Sequence, residues 1–351
     1  MRILILTQYF PPERGAVRRL FEFAKIFRDH GHQVTVLTAF PNYPDGVLAE
    51  RYRGKFFVRE KLDGLDVCRS YVLPAPNSRP RKRMIGFVTF LLSSLVNCLR
   101  LQGKFDLVIA SSPPVTTALA GYLISRMRRA KFVLEIRDLQ PESGVQFGNL
   151  EETFFTRSLR KMMDFLYRRA ERVVTATAGI REYLEASGIP ERRLVTVKSG
   201  VGDDFIHGHS NGIRVRYGWQ EKFLVVYSGT LGWVRPLETI VESARILSDH
   251  PDVHFVFVGD GQKRDELESL TESYGLTNVS FTGLQPLEHI PYFLRAGDAL
   301  VECLKDVRVA RMAVPSKMFE YMASGRPILL GCPEGEASDL LHAAGGALTY
   351  P

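Results

Sequence analysis

Along most of this chain, short runs of Val, Ile and Leu alternate with segments whose apolar positions return every three or four residues. Residues 2–6 read as a buried strand. A turn-rich loop follows, then a helix over 17–28 closed by Gly31, then a strand over 33–38. Further strands are predicted at 67–72, 107–110, 132–136 and 172–176, with a helix at 115–128. Unbroken apolar strands separated by helices imply a parallel sheet covered on both faces. The pattern then restarts. Strands are predicted at 223–227, 253–258, 279–281, 299–303 and 327–331, and helices at 237–249, 265–274 and from about Ser316. Gly, Asp, His, Ser and Asn cluster without periodicity over 200–216. The expected fold class is therefore α/β, with two Rossmann-like doubly wound domains, over residues 1–202 and 203–351.

The stretch from Arg79 to Leu101 departs from this pattern. Arg79, Arg81, Lys82 and Arg83 lead into residues 84–99, which carry no charge. As a helix this apolar segment is roughly 24 Å long, short of the ~30 Å hydrocarbon layer, so it is not read as a span. Thr89, Ser93 and Asn97 form one narrow polar stripe, and the other faces are apolar. Two readings stay open: a core helix of the first domain, or a helix lying in a membrane interface with its basic lead-in on anionic lipid.

Charge sharpens the second reading. Residues 1–200 hold 33 Lys+Arg against 19 Asp+Glu, or +14, whereas the remainder holds 13 against 20, or −7. The first half is thus expected to face something anionic, a phospholipid surface or nucleic acid. No aromatic–basic motif supports nucleic acid. Cys68, Cys98, Cys303 and Cys332 are far apart, which suggests a reduced cytosolic chain. The apolar start is interrupted at Tyr9-Phe10-Pro11-Pro12-Glu13-Arg14, too early for a signal peptide.

Open parallel sheets bind ligands beyond the carboxyl ends of their strands. Three glycine turns stand there in the second half: Gly229-Thr230-Leu231-Gly232, Gly259-Asp260-Gly261 and Thr282-Gly283. Glycine there is expected to let backbone N–H groups approach an anion. No G-x-G-x-x-G occurs, which counts against a dehydrogenase, and P-loop, H-E-x-x-H and G-x-S-x-G motifs are missing too. No Asp-x-Asp is present, so a carboxylate-held divalent metal has no obvious seat and none is expected, and no cofactor is expected beside the substrates. The most telling segment runs from Val314 to Pro327. Ser316 is expected to cap a helix whose positive end faces a pocket, Lys317 adds a full charge suited to a diphosphate, and Glu320 can accept hydrogen bonds from vicinal ribose hydroxyls.

In these motifs the chain resembles the retaining glycosyltransferases of GT-B fold, family 4, and especially the branch that adds N-acetylhexosamine-type sugars to lipid-linked oligosaccharides in capsule and O-antigen assembly. The matching stretches include Tyr9 to Glu13, Gly31 to Val36, Ser111 to Pro114, Arg137 to Ser143, Tyr227 to Gly229, Val258 to Gly261 and Val314 to Pro327. The resemblance implies two domains facing across a cleft, the second holding a UDP-sugar. Donor-side residues would be Gly229, Thr230, Gly232, Arg235, Gly259, Gly261, Gly283, Ser316, Lys317 and Glu320. The first domain would receive a lipid-linked saccharide acceptor beside Gly15, Arg137 and Gly144, with Asp138, Glu142 and Lys317 catalytic. It also implies metal-independent transfer by a peripheral protein at the inner face of the plasma membrane. Three features depart from the family: Met312 stands where an E-x7-E pair expects glutamate, Trp233-Val234-Arg235-Pro236 replaces the usual basic pair, and relatives continue for several dozen residues beyond Pro351 with a helix returning to the first domain. An inactive scaffold or binding protein and a UDP-sugar epimerase are the competing readings.

Overall fold

The computed structural model describes residues 1–13, 17–76, 79–206 and 212–350, except for the side chains of Asp203 and Asp204. It divides into two compact units, Met1–Lys198 and Ser199–Pro351.

In the first unit the strands are β1 (Arg2–Leu6), β2 (Gln33–Ala39), β3 (Phe57–Leu62), β4 (Leu65–Ser70), β5 (Leu107–Ser112), β6 (Lys131–Ile136), β7 (Arg172–Thr175) and β8 (Leu194–Thr196). The helices are α1 (Arg18–Asp29), α2 (Pro80–Asn97), α3 (Val115–Arg128), α4 (Glu142–Gln146), α5 (Phe154–Arg169) and α6 (Ala178–Ala186). They build one sheet in the order β3-β4-β2-β1-β5-β6-β7-β8. Every pairing is parallel except the β3–β4 hairpin. That hairpin was not evident in the sequence, because β3 (FVREKL) alternates charge with apolar residues as an edge strand does. Ile3, Ile5, Val36, Val67 and Ile109 form the core under α1 with Leu20 and Ala24.

The second unit contains β9 (Phe223–Ser228), β10 (Val253–Val258), β11 (Val279–Phe281), β12 (Ala299–Cys303), β13 (Ile328–Gly331) and β14 (Ala347–Tyr350). Between them lie α7 (Asp203–Ile206), α8 (Ile213–Tyr217), α9 (Glu238–Ile246), α10 (Arg264–Ser273), α11 (Ile290–Ala296), α12 (Arg308–Arg311), α13 (Ser316–Ser324) and α14 (Glu336–Ala344). The sheet is wholly parallel, in the order β11-β10-β9-β12-β13-β14. Strand order reverses between β1 and β5 in one unit and between β9 and β12 in the other. Such switch points open a crevice at the carboxyl ends of the strands.

Helix α2 resolves the two readings of its sequence in an unusual way. Its polar stripe faces inward: Ser93, Ser94 and Asn97 are buried, as are Gly86 and Phe90. The Thr89 hydroxyl accepts the Leu73 N–H at 2.9 Å, Ser93 donates to the Tyr71 carbonyl at 2.5 Å, and Asn97 donates to the Phe56 carbonyl at 3.1 Å. Ile85, Val88, Leu92 and Val96 recur at helical spacing on the outside and are about half exposed, at 53, 48, 56 and 50%. The helix thus uses hydrogen bonds to seat itself and leaves its apolar face uncovered, the reverse of an ordinary surface helix. Counted with its flanking turns the helical stretch Pro80–Arg100 has 21 residues, so by length and composition alone it could cross a membrane, which corrects the expectation from its uncharged part that it is too short.

Candidate active site

In the second unit two of the predicted donor residues, Arg235 and Lys317, converge on one that the sequence reading missed. Glu302, in β12, is fully buried, and its two oxygens are shared between two cations. One pairs with Arg235, from the loop after β9, and the other lies 2.6 Å from Lys317 Nζ. Lys317 also sits 3.9 Å from the ring centroid of buried Tyr227, a cation–π contact that fixes the ammonium against the end of β9. One carboxylate against two cations leaves a net positive charge at the switch point. The two cationic side chains keep 19 and 15% exposure.

Helix α13 is fixed to the sheet by Tyr321. Its hydroxyl accepts the Ser228 N–H at 2.7 Å and donates to the Ser228 carbonyl at 3.2 Å. Full burial raises the phenol well above its ordinary pKa, so it stays a neutral donor and acceptor. The helix therefore starts beside the end of β9. Ser316 is not its cap: the N-cap is Pro315, with φ −56° and ψ 135°, and no side chain caps the first turn. Proline's fixed φ suits that extended position, and its carbonyl accepts the Met318 N–H at 2.9 Å. Ser316 is instead the first helical residue and exposed, Lys317 the second, and Glu320 lies one turn on, partly buried. The first amide groups of any helix lack intrahelical acceptors, so this end offers donors next to Lys317. Met312 ends the short α12.

The glycine turns pack closely against one another at the carboxyl ends of β9, β10 and β11. The Gly229 N–H bonds to the Val258 carbonyl, Gly259 to Gly283, Gly232 to Thr230, and Gly261 to the Asp260 side chain. Gly229, Gly259 and Gly261 lie where neighbouring atoms approach closely, whereas a Cβ on Gly232 would meet nothing nearer than 3.7 Å. A Cβ on Gly259, at φ +145°, would lie 2.0 Å from the Gly229 carbonyl oxygen, and one on Gly229 would lie 2.8 Å from Lys317 Nζ. Gly283 supplies the carbonyl that receives Gly259, and Thr230 is exposed at the turn, accepting from the Tyr227 hydroxyl at 3.0 Å.

The first unit carries a second buried glutamate that the sequence reading also passed over. Glu135, in β6, lies 2.6 Å from Arg19 Nε, accepts from the Ser111 hydroxyl at 2.5 Å, and stands 4.0 Å from Arg137 Nε. Arg137 also donates to the Pro113 carbonyl at 3.3 Å. Asp138 follows, exposed, beyond the end of β6. Glu142 begins α4 and pairs with Arg160 at 2.8 Å, which also holds Glu152 at 3.1 Å. Gly144 lies inside α4, where its carbonyl accepts the Asn149 and Leu150 N–H groups at 2.8 Å. Gly15 lies outside the described residues. Both missed glutamates had a signal in the sequence: each is a lone charge within an apolar strand, VLEI and ALVEC. Among the described residues no three His, Cys, Asp or Glu side chains converge as a metal site, and the four cysteines are buried and unbridged.

Comparison with known proteins agrees with this arrangement. Residues 14–200 match the family model described as glycosyl transferase 4-like domain, and residues 211–350 match that of the glycosyl transferases group 1. A protein described as a colanic acid biosynthesis glycosyl transferase, WcaI of Escherichia coli K12, is 26% identical over 341 residues, covering 93% of this chain and 82% of its own. The 2-deoxystreptamine N-acetyl-D-glucosaminyltransferase of Streptomyces fradiae is 27% identical over 399 residues, covering 99% of this chain and 89% of its own. The crystal structure of Anabaena HepE in complex with UDP and glucose superposes with a TM-score of 0.68 at 18% identity, covering 97% of this chain and 83% of that one. The chain belongs to the family 4 glycosyltransferases of GT-B fold and is an enzyme of that class.

Proposed function

We propose that this glycosyltransferase moves a sugar of N-acetylhexosamine type from a UDP-sugar to a lipid-linked saccharide in surface polysaccharide assembly, with retention at the anomeric carbon. The observation that carries the donor half is the Glu302-centred pair of cations at the start of α13. In this reading Lys317, Arg235 and the first amides of α13 receive the diphosphate, and Glu320 accepts from the ribose hydroxyls. The bond from anomeric carbon to diphosphate oxygen breaks while the acceptor hydroxyl attacks the same face. The departing phosphate oxygen takes the acceptor's proton. The protein's work is then mainly stabilisation of charge on the leaving group by groups already in place. Glu302 acts as a positioning residue. Asp138, exposed after β6, is assigned to the reacting centre, with Arg137 held beside it by Glu135. Glu142, engaged with Arg160, supports that loop.

The relatives' names support glycan assembly and amino-sugar transfer, and UDP occupies the HepE structure. For the acceptor, the support is α2. Its uncovered apolar stripe follows exposed Arg79, Arg81 and Lys82, a combination suited to lying in the interface of an anionic bilayer. The protein would work as a peripheral enzyme on the cytoplasmic face.

Transfer is tested by incubating the full chain with radiolabelled UDP-sugars and bacterial membrane extract. Label from a UDP-N-acetylhexosamine entering the organic phase is expected. Uridine sugars that neither transfer label nor raise the melting temperature would refute the donor assignment. Turnover to a second UDP-sugar without acceptor would favour the epimerase.

A further inference from the structure

At the amino ends of β7 and β8, the opposite end of the first sheet from Asp138, a cavity of about 370 Å³ is walled mainly by arginine. Arg168, Arg169, Arg172, Arg192 and Arg193 line it, with one carboxylate, Glu171. The arginines come from three segments: the end of α5, the start of β7, and the 3₁₀ turn Glu191–Arg193 that leads into β8. The sheet brings these segments together. Val173 pairs with Leu194, so Arg172 and Arg193, which precede them, stand side by side on adjacent strands.

Backbone bonds fix the frame. The Glu171 N–H donates to the Phe132 carbonyl at 2.8 Å, and that of buried Ala170 to the Leu166 carbonyl at 3.0 Å. Arg193 Nη1 donates to the Arg168 carbonyl at 2.9 Å and so ties the turn before β8 to the end of α5. Arg169 rests its guanidinium 5.1 Å from the ring centroid of Phe165. A guanidinium carries five N–H donors, so these contacts leave most of them for a ligand. The charge is not balanced. Glu171 lies 4.0 Å from Lys131, and Glu191 holds Arg181 at 2.8 Å. Among the described residues none of the five arginines forms an ion pair, whereas Arg59, Arg160 and Arg181 of the same unit each have a carboxylate partner. Like charges gathered around one cavity repel each other unless an anion joins them.

We propose that this cavity binds an anion carrying two or more neighbouring phosphate groups, at a site separate from the one assigned to the donor diphosphate. The planar fork of a guanidinium matches phosphate oxygens in bidentate pairs. A single phosphate engages one or two forks, so five forks call for several phosphates. The volume falls in the range of small-molecule sites. Two sources share this chemistry, a dissolved oligophosphate and a phospholipid headgroup with paired phosphates. The transfer reading uses none of these arginines, so the inference stands apart from it and gives part of the +14 charge of residues 1–200 a ligand.

The test is calorimetric titration of tripolyphosphate into the full chain with UDP saturating, repeated in Lys317→Ala so that binding at the donor site is excluded either way. Sulfate at matched ionic strength is the simple-anion control. Wild type is expected to bind tripolyphosphate at least tenfold more tightly than sulfate. Arg169→Gln with Arg192→Gln leaves the tie between Arg193 and Arg168 in place. That pair should weaken tripolyphosphate at least tenfold while the melting temperature of the free protein stays as in wild type. Should the pair unfold, Arg172→Gln alone is expected to weaken binding at least threefold. Arg51→Gln with Lys55→Gln removes the same charge from exposed positions elsewhere in the unit and should leave the affinity within twofold. The proposal is overturned if the cavity variants bind like wild type, if the control pair loses as much, or if sulfate binds as tightly. A single-stranded oligonucleotide that binds more tightly than tripolyphosphate through the same arginines would overturn it in favour of nucleic acid. Cardiolipin vesicles separate the two phosphate sources: a headgroup ligand predicts that the Arg169 and Arg192 double variant sediments less than wild type, a dissolved one that both sediment alike.

Discussion

Replacing Glu302 by Gln removes the one negative charge that two cations share in the second unit. At 2.6 Å the attraction to Lys317 is about 6 kcal/mol at an effective dielectric of ~20, before the carboxylate's desolvation is counted. Removing one partner of a buried pair costs about 3–5 kcal/mol net. Because Lys317 and Arg235 keep 15 and 19% exposure and can turn to water, the lower end applies, about 3 kcal/mol. For a unit of ~150 residues this is a drop of about 6–12 °C in melting temperature. Both tryptophans, Trp219 and Trp233, lie in the second unit, so their fluorescence reports its unfolding separately from the first. Lys317→Met keeps the stem over Tyr227 and removes the charge. In the double variant one of the two stranded cations is gone and only Arg235 remains, so the two single costs should overlap by about 2 kcal/mol. A Glu302→Gln protein as stable as wild type within about 0.5 kcal/mol, or strictly additive costs, would refute the idea that Glu302 organises the site.

Other consequences are open to measurement. Leu92→Asp with Val96→Asp should abolish sedimentation with anionic vesicles while leaving stability within about 0.5 kcal/mol, since both side chains already face outward. Burial pushes the Glu13 carboxyl up to about 7. A carboxyl raised from its ordinary value stabilises fully below that value and loses its contribution as pH rises through the folded one. Unfolding free energy should therefore fall between about pH 4.5 and 7 by up to ~3 kcal/mol, and Glu13→Gln should flatten that slope in denaturant titrations. Gly259→Ala should cost more than about 2 kcal/mol by thermal melting, because its new carbon meets backbone that cannot yield. Asp138→Asn should lower transfer at least tenfold with UDP binding unchanged; full turnover would remove Asp138 from the reacting centre.

Much of the architecture was legible because parallel strands buried on both faces must be mostly apolar, and β1, β5, β9 and β10 carry runs of Val, Ile, Leu or Phe, as does β6 around its one buried charge, Glu135. Strands with a mixed pattern or few residues, such as β3 and β8, left no such trace. The segment around Lys317 was readable from charge at a helix start, but its cap was not, since proline and serine both suit a first turn and only the backbone angles separate them. The glycine turns show a related limit. Glycine marks close approach, and the sequence does not say whether the approaching partner is a ligand or the next turn. Glu135 and Glu302 were visible as isolated charges in apolar strands, whereas their partners Arg19, Arg137, Arg235 and Lys317 are distant in sequence and required the fold. The inward polar stripe of α2 illustrates the same limit: periodicity defined the stripe, and only the packing said which way it turned.

Calorimetric titration of UDP and of uridine into wild type and Lys317→Ala bears most directly on the donor site. If the ammonium beside α13 neutralises the diphosphate, wild type will bind UDP far more tightly than uridine, and Lys317→Ala will lose at least tenfold for UDP while uridine is unaffected. Equal UDP affinity in the two proteins would contradict the account.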